Sequence, residues 1–466
     1  MPARNLILLI VATIGCIAAW YARERDRPGQ RVNEVLSLID ATYIEPVDGD
    51  ALVAVALDGA VSTLDENSMF VRGDGQQELE AALDQEYGGI GLELAIDERT
   101  GELAVAMPLP GGPAWHAGIV AGDRIKAIDG TTTSGLPLRE VVARLRGRPG
   151  EAVTLTVWPA AGESAARDVR IVRDLVQVES VQGDRRRMDG SWEWWLEDAP
   201  GIAFVRINGF GERTADELDA VLGQIAAGAA RDDGRPQPLR GIVIDLRGNP
   251  GGLVSAAVDV CDRFLEEGVI VSTCDRREAT PAAAPPPVDI RRATAGALVT
   301  GVPIAVLVDG LTASAAEIVA ACLQDHGRAT IVGSRTYGKG TVQSIIPLSG
   351  GGLLKLTTAE YLRPDGRSIN RDPDDADNPE WGVAPDAGYA VAPSTAALER
   401  LDRWRKRRDS LPETEGSPGT AATPATIDEV VARALEVFPP VSPSPADLRG
   451  EEETSRDAHE PAPAGV

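Results

Sequence analysis

The sequence predicts a multidomain α+β protein. It has a helical N-terminal segment, a small strand-rich unit, an α/β core with a largely parallel sheet, and a Pro-rich tail. Three observations carry that prediction. Residues 31–83 place apolar side chains at helical spacing, the texture changes at residue 87 to short strands between glycine turns, and strand and helix patterns alternate from residue 201. At roughly 100–200 residues per domain, 466 residues accommodate two to four domains. An apolar content of 43% is enough to bury real cores and excludes wholesale disorder.

Taken in chain order, residues 6–20 (LILLIVATIGCIAAW) are almost wholly apolar and come after Arg4. Such a stretch spans about 22 Å as a helix, against roughly 30 Å of hydrocarbon, and Asn5 and Tyr21 narrow the gap. Segment 1–22 is therefore expected to be a signal or a membrane anchor. There is no A-x-A site after it, and Ile14-Gly15 before Cys16 is a poor lipobox, which favours a retained anchor. Segment 23–86 is expected to be helical, with VNEVLSLID and ALVAVALDGAVSTL as its apolar faces. In the unit 87–180, GIGLELAID and LAVAMPL read as strands, and VTLTVWPA and RDVRIV as an antiparallel pair. Between them, LPLREVVARLRG reads as a helix with Leu138, Val141, Val142 and Leu145 on one face.

The core, 181–392, contains strands GIAFVRING, GIVIDLRG, VIVST, VPIAVLVDG and ATIVG, helices at 214–228, 253–267 and 314–325, and strands around 341–363. The APPP run at 284–287 is expected to be a surface loop. Segment 393–466 is read as an acidic, Pro-rich tail, mostly disordered, interrupted by one amphipathic helix at 427–438 carrying Ile427, Val430, Val431, Leu435 and Val437.

Composition narrows the function. A net charge of −25 repels phosphate backbones, so no nucleic-acid partner is expected. The four cysteines show no CxxC spacing and the three histidines, His116, His326 and His459, are scattered, so no metal and no cofactor is expected. In an exported protein Cys261 and Cys274 are candidates for pairing, and the sequence does not decide it.

In parallel α/β sheets ligands bind at the carboxyl ends of strands. Three such ends stand out: DLRGNPGG (245–252), VDGLTASAAE (308–317) and GSRTYGKGTVQ (333–343). The last satisfies GxxxxGK, but Gly340 stands where Ser or Thr must hold magnesium, and the next stretch, TVQSIIPLSGGG, does not read as a helix, so nucleotide binding is disfavoured. Ser314 sits in the first turn of a helix, as either a cap or a nucleophile activated by the helix dipole. As a nucleophile it needs a base. His326 lies about 18 Å along the same helix and about 120° round it, and His116 and His459 belong to other units. A lysine substitutes when desolvation keeps it neutral, and Lys339 is flanked by Tyr337, Gly338, Gly340 and Val342, with no adjacent carboxylate. On local sequence alone Lys339 reads more readily as a solvated loop charge. The glycines Gly251 and Gly252 suit an oxyanion hole or an ordinary turn.

Together these segments resemble the carboxy-terminal processing, or tail-specific, proteases over about residues 31–388. The resemblance runs in order through YIEPVD…LDENS, YGGIGLEL, GPAWHAGIVAGDRIKAIDG, GIAFVRINGF, GIVIDLRGNPGG, the Ser314 helix, GSRTYGKGTVQ, LTTAEYLRPDGRSI and GVAPD. It implies a PDZ domain inserted before an α/β peptidase core of crotonase/ClpP-like fold. It also implies Ser314 as nucleophile, Lys339 as general base and Gln343 as the group orienting the lysine. Gly251 or Gly252 and the N–H of Ala315 look like the oxyanion donors. Asp325 matches an acidic residue of the family. It lies about 16 Å along the helix from Ser314, which favours a structural role over a relay. Ala316 replaces the second serine of the usual SASASE, and LDENS stands for LDPHS; neither change removes a catalytic group.

In the PDZ unit, Gly89, Ile90, Gly91 and Leu92 are expected to hold a terminal carboxylate through backbone N–H groups. A peptide would add as a strand beside Leu92–Ile96 against a wall of Val141, Val142 and Leu145. The expected protein is a serine endopeptidase cleaving substrates near free C-termini, periplasmic or in the cell envelope, anchored in the inner membrane through residues 6–21. The sequence leaves an adaptor protein open. The rival reading is a catalytically inactive PDZ scaffold on a protease fold.

Overall fold

The structure is a computed structural model. It describes residues 28–73, 75–76, 81, 83–97, 100–160, 165–228, 238–275, 289–371, 380–409 and 427–439. The expected anchor at 1–22, the APPP loop and residues 440–466 lie outside the described residues. Among the described residues no helix is long and apolar enough to cross a membrane. The chain divides into two compact units, one of residues up to Gln77 with Val342–Thr358, the other of Glu78–Thr341 with Ala359 onward.

The first unit contains helices α1 (Pro28–Thr42) and α2 (Gly49–Val61). Asp48 caps α2, its side chain accepting from the N–H groups of Asp50 and Ala51. Segment 23–86 is not wholly helical, because β1 (Met69–Val71) pairs antiparallel with the strand Leu353–Leu362, Met69 opposite Lys355 and Val71 opposite Leu353. Asp65 of the DENS sequence makes the turn into β1, accepting from the N–H groups of Asn67 and Ser68 at 2.8 Å each. Burial opposes its ionisation, but these bonds and those from the Ser68 and Thr357 hydroxyls hold its carboxyl below the usual range.

In the second unit, β2 (Glu86–Gly89) leads into β3 (Leu92–Ile96), followed by β4 (Leu103–Pro108), β5 (Arg124–Ile128), helix α3 (Leu138–Leu145), β6 (Ala152–Trp158), β7 (Arg167–Val172) and β8 (Asp174–Gln177). β6 shows why a half-buried strand alternates: Val153, Leu155 and Val157 are buried and the residues between them are not. It pairs antiparallel with β7 along its length. The sheet order is β3-β4-β5-β6-β7, which leaves β3 as an edge.

The core sheet is built from β9 (Val181–Gln182), β10 (Ile202–Ile207), β11 (Gly241–Asp245), β14 (Ile304–Val308) and β15 (Thr330–Gly333), in that order. The last four are parallel, with Phe204 opposite Val243, Ile244 opposite Val306, and Leu307 opposite Val332. β10, β11 and β14 are buried at every residue, as strands covered on both faces must be. Helices α4 (Thr214–Ala226), α5 (Val254–Asp262) and α6 (Ala315–Asp325) make the crossovers. The VIVST strand departs from the expected alternation. It belongs to β12 (Val269–Asp275), which pairs antiparallel with β13 (Asp289–Arg292) and with the end of Leu353–Leu362, outside the parallel sheet.

The segment read as a tail contains two packed helices, α7 (Thr395–Asp409) and α8 (Glu429–Leu435). Ala397 and Trp404 of α7 are buried. Val430, Val431, Ala434 and Phe438 pack with Phe204, Val243, Ala305, Leu307 and Val332 on one face of the core sheet. The charged DRWRKRR run is partly internal, since Arg408 pairs with Asp184, and the carboxylate of Asp409 receives Arg206 at 2.7 Å.

Burial raises the Asp184 pKa to about 6, with Arg408 opposing the shift, Arg185 also lowering it and Asp198 raising it. The folded protein therefore holds this proton above the unfolded value of 3.8, so the group's contribution to stability falls as pH rises from 4 to 6. Compared with Asp184→Asn, the parent is expected to lose roughly 5 °C of Tm between pH 4 and pH 7. A constant difference between the two proteins across that range contradicts the assignment.

Candidate active site

The carboxyl ends of β11, β14 and β15 are neighbours in the sheet, so the three motif-bearing loops emerge side by side. The first, 245–252, is held by its own polar groups. Asn249 donates through Nδ2 to the Ile207 carbonyl at 2.7 Å and accepts the Gly251 N–H at 2.8 Å. The Ala313 N–H reaches the Asn249 carbonyl at 2.9 Å, tying this loop to the residue before Ser314. Gly251 has φ 98°, and a Cβ there would lie 2.8 Å from the Ser314 Cβ and 2.9 Å from the Ala315 nitrogen. Gly252 has φ 144°, and its Cβ would meet the Phe210 carbonyl oxygen at 2.0 Å. These glycines are required by close approach, not by an ordinary turn.

The second loop is stapled by Asp309, whose Oδ1 accepts the N–H groups of Gly248, Leu311 and Thr312 at 3.0 Å each. Thr312 Oγ1 donates to the Leu246 carbonyl at 2.9 Å. Ser314 comes next with φ 57° and ψ −120°, a conformation that glycine takes readily and a Cβ-bearing residue at a cost of roughly 1–3 kcal/mol. It is the first central residue of a turn closed by the Ala316 N–H on the Ala313 carbonyl at 3.2 Å. Ser314 is buried at the N-terminus of α6, in capping-box relation to Glu317. An ordinary N-cap residue keeps an extended backbone, so capping alone does not account for this strained turn.

Glu317 joins the second loop to the third. Its carboxylate is fully buried and accepts four hydrogen bonds. Oε1 receives Thr336 Oγ1 at 2.5 Å and the Gly338 N–H at 2.7 Å. Oε2 receives the N–H of Lys339 at 2.8 Å and the N–H of Ser314 at 2.9 Å. One oxygen thus binds the backbones of both residues expected to react. Burial raises the Glu317 pKa, against the lowering effect of Thr336 and the three N–H donors. The Lys339 segment is fixed further by the Tyr337 N–H on the Thr312 carbonyl at 2.9 Å and the Gly340 N–H on Asn370 Oδ1 at 3.2 Å. Lys339 itself is half-buried. Beyond it, Thr341–Pro347 is a strand, as the rejection of a phosphate loop requires.

The remaining expected residues have these partners. Gln343 belongs to the first unit, where its Nε2 lies 3.4 Å from Thr357 Oγ1. Asp325 ends α6 in an ion pair with Arg363, the arginine buried and the aspartate half-buried. His326 caps the same helix and bonds the Val269 carbonyl at 2.8 Å, and His116 closes the short helix Pro113–His116 of the strand-rich unit. Cys261 and Cys274 are buried, and no disulfide joins them in the structure. No group of side chains able to hold a metal occurs among the described residues.

In the strand-rich unit, Gly89 ends β2, Gly91 has φ 71°, and Leu92 opens the edge strand β3. Ile90 is buried in the unit's core, and its carbonyl accepts the Ala114 N–H at 2.8 Å. The expected wall of α3 is narrower than the sequence suggested. Val141 and Leu145 are buried within that same core, while Val142 is half-buried and Leu138 exposed. The 141/145 pair thus faces inward, and 138/142 keep the more accessible side of the helix.

These features define a serine-type peptidase with a peptide-binding domain inserted ahead of its core. Residues 201–388 match peptidase family S41 and residues 105–159 match the PDZ domain. The chain belongs to the carboxy-terminal-processing proteases. It is 37% identical over 341 residues to the carboxy-terminal-processing protease of Bartonella bacilliformis, covering 73% of this chain and 72% of that one. It is 31% identical over 384 residues to the carboxyl-terminal-processing protease of Picosynechococcus, covering 81% and 78%. Among solved structures, the photosystem II D1 C-terminal processing protease is 27% identical and covers 85% of this chain and 97% of that one, with a TM-score of 0.43.

Glu317 is the functional residue that sequence reasoning passed over. The signal was present, because Ser314 followed three positions later by Glu is the spacing of a capping box.

Proposed function

We propose that the protein is an endopeptidase that cleaves proteins near their C-termini with Ser314 as nucleophile and Lys339 as general base. The observation that carries this reading is the single Glu317 oxygen shared by the N–H groups of Ser314 and Lys339. Neutral Lys339 Nζ takes the Ser314 Oγ proton as Oγ attacks the scissile carbonyl. The resulting oxyanion is met by backbone N–H groups at Gly252 and Ala315, since the Gly251 N–H is already bonded to Asn249. The lysine ammonium then passes its proton to the leaving amine, and water hydrolyses the acyl-enzyme with lysine again as base. Gln343, four residues after the lysine, is assigned to orient it on the strength of that spacing.

The PDZ domain selects the substrate by taking its free C-terminus beside edge strand β3. The Gly89–Leu92 loop takes the carboxylate, and Val142 and Leu138 border the apolar side. Crotonase and ClpP likeness of the core belongs to the same reading, supported by the parallel strands and their crossover helices. Export to the periplasm or envelope, with residues 6–21 holding the enzyme at the inner membrane, is supported by their apolar composition and the preceding Arg4.

Amidation of a substrate's C-terminus removes the charge without touching the scissile segment. The full-length Ser314→Ala protein is expected to bind the amide at least about tenfold more weakly than the acid, the loss of one charge-assisted carboxylate contact, and the parent to cleave the amide more slowly. Equal binding of acid and amide contradicts C-terminal recognition. Unequal binding with equal cleavage assigns the groove to a task other than substrate selection.

A further inference from the structure

The S41 match ends at residue 388, yet α8 is bound directly to the loop that ends in Gly251 and Gly252. Arg247 is the link. Its guanidinium donates to Asp245 through Nε at 2.9 Å and Nη2 at 2.7 Å. It also reaches both oxygens of Asp428, through Nη1 at 2.9 Å and Nη2 at 2.8 Å. Arg405 of α7 closes the group, donating to Asp245 at 2.5 Å and to Asp428 at 3.2 Å. Two arginines and two aspartates thus form a neutral square whose aspartates are buried, Asp245 0% and Asp428 2% exposed, and whose arginines are half-buried.

We propose that Asp428 is a positioning residue for the peptidase reaction: acting through Arg247, it fixes the 247–252 loop against Ser314 and makes α8 part of the catalytic apparatus. Arg247 cannot shed its proton, and a buried charge deprived of its partner is strongly unfavourable. Without the Asp428 charge, two arginines share the single carboxylate of Asp245 and the Arg247 Nη1 side loses its anionic acceptor, which draws the guanidinium toward water. The loop that carries it has little slack, because Gly248 is bonded to Asp309, Asn249 to Ile207, and Phe210 to the Gly251 carbonyl at 3.0 Å. Movement at Arg247 therefore reaches Gly251 and Gly252 within a few residues.

A second attachment of α8 separates positioning from stability. Phe438 packs so closely on Gly241 that a Cβ there would lie 2.2 Å from its ring, and Arg240 donates to the Pro439 carbonyl. Asp428 also caps α8, accepting the N–H groups of Val430 at 3.1 Å and Val431 at 3.2 Å. Asparagine caps a helix as well as aspartate does, so Asp428→Asn keeps the cap and the apolar contacts and removes the negative charge that faces Arg247 and Arg405. Phe438→Leu does the reverse.

The proposal rests on the reading of Ser314 and the 251–252 loop as catalytic, and the test keeps the two apart. Full-length parent, Asp428→Asn, Asp428→Glu and Phe438→Leu are compared on a peptide with a free C-terminus, measuring kcat, KM and Tm. Asp428→Asn is expected to lower kcat at least tenfold with KM within twofold, and Asp428→Glu to keep part of that kcat. Phe438→Leu is expected to lower Tm with kcat within twofold. Parental kcat in Asp428→Asn overturns the proposal, as does an equal kcat loss in Phe438→Leu. If Asp428→Asn does not fold, Asp428→Glu carries the test. A threefold or greater loss of kcat at unchanged KM then supports the proposal, and parental kcat overturns it. A parent whose cleavage does not need Ser314 overturns both readings, whereas an active parent with an indifferent Asp428→Asn overturns the Asp428 assignment alone.

Discussion

Lys339→Ala is expected to reduce kcat/KM for peptide cleavage roughly 10⁴-fold or more, the scale seen when one member of a catalytic unit is removed. No other described base is placed to replace it. His326 is occupied by the Val269 carbonyl at the far end of α6, and His116 belongs to the PDZ domain. His116→Ala and His326→Ala are therefore expected to leave cleavage within a few-fold of the parent. The parental rate should rise with pH as the neutral fraction of Lys339 grows. Steady-state kinetics on the three variants, with circular dichroism as the folding control, check this. A histidine variant as damaging as Lys339→Ala, in folded protein, contradicts the Ser/Lys assignment.

The second large effect is expected at Glu317. Glu317→Gln keeps the volume but turns one of two acceptor oxygens into a donor, leaving two of its four donors without a partner. A buried, unsatisfied donor costs roughly 1–3 kcal/mol. Because the donors include the backbones of Ser314 and Lys339, part of that cost should appear as a loss of kcat of roughly 10²-fold. The rest should appear as a lower Tm. The same staple sets an acid limit to activity, since protonating the carboxylate also removes an acceptor. Burial shifts that limit above the usual carboxylate range. Parental kcat in folded Glu317→Gln, with only Tm reduced, would make Glu317 a structural residue and nothing more.

The three loops of the candidate site are legible because each carries a local signal. Strand residues buried on both faces end in Gly251-Gly252, in the Ser314 turn and in the Gly338-Lys339-Gly340 segment. Adjacency of the three ends is a consequence of a parallel sheet. Glu317 was visible only as capping-box spacing, and nothing local shows that its second oxygen reaches Lys339, 22 residues away.

The helix expected at 427–438 is present as α8, and the largest misreading was α7. DRWRKRR has the composition of a solvated surface, but Arg405 and Arg408 are neutralised by Asp245 and Asp184, at separations of 160 and 224 residues. Only tertiary structure supplies those partners. β12 likewise reads like any other strand of the alternation, and its transfer to an antiparallel sheet depends on pairing with residues near 360. In α3 the apolar residues share a face as expected, but only Val141 and Leu145 enter the core, a choice set by tertiary packing and not by spacing.

The most direct test of the central claim is covalent labelling of the full-length protein with a fluorophosphonate probe, followed by peptide mapping of the adduct. A single labelled serine, Ser314, is expected, with labelling that rises with pH in the parent and is lost in Lys339→Ala. A label on a different serine, or Ser314 labelling at the parental rate without Lys339, would contradict the central claim.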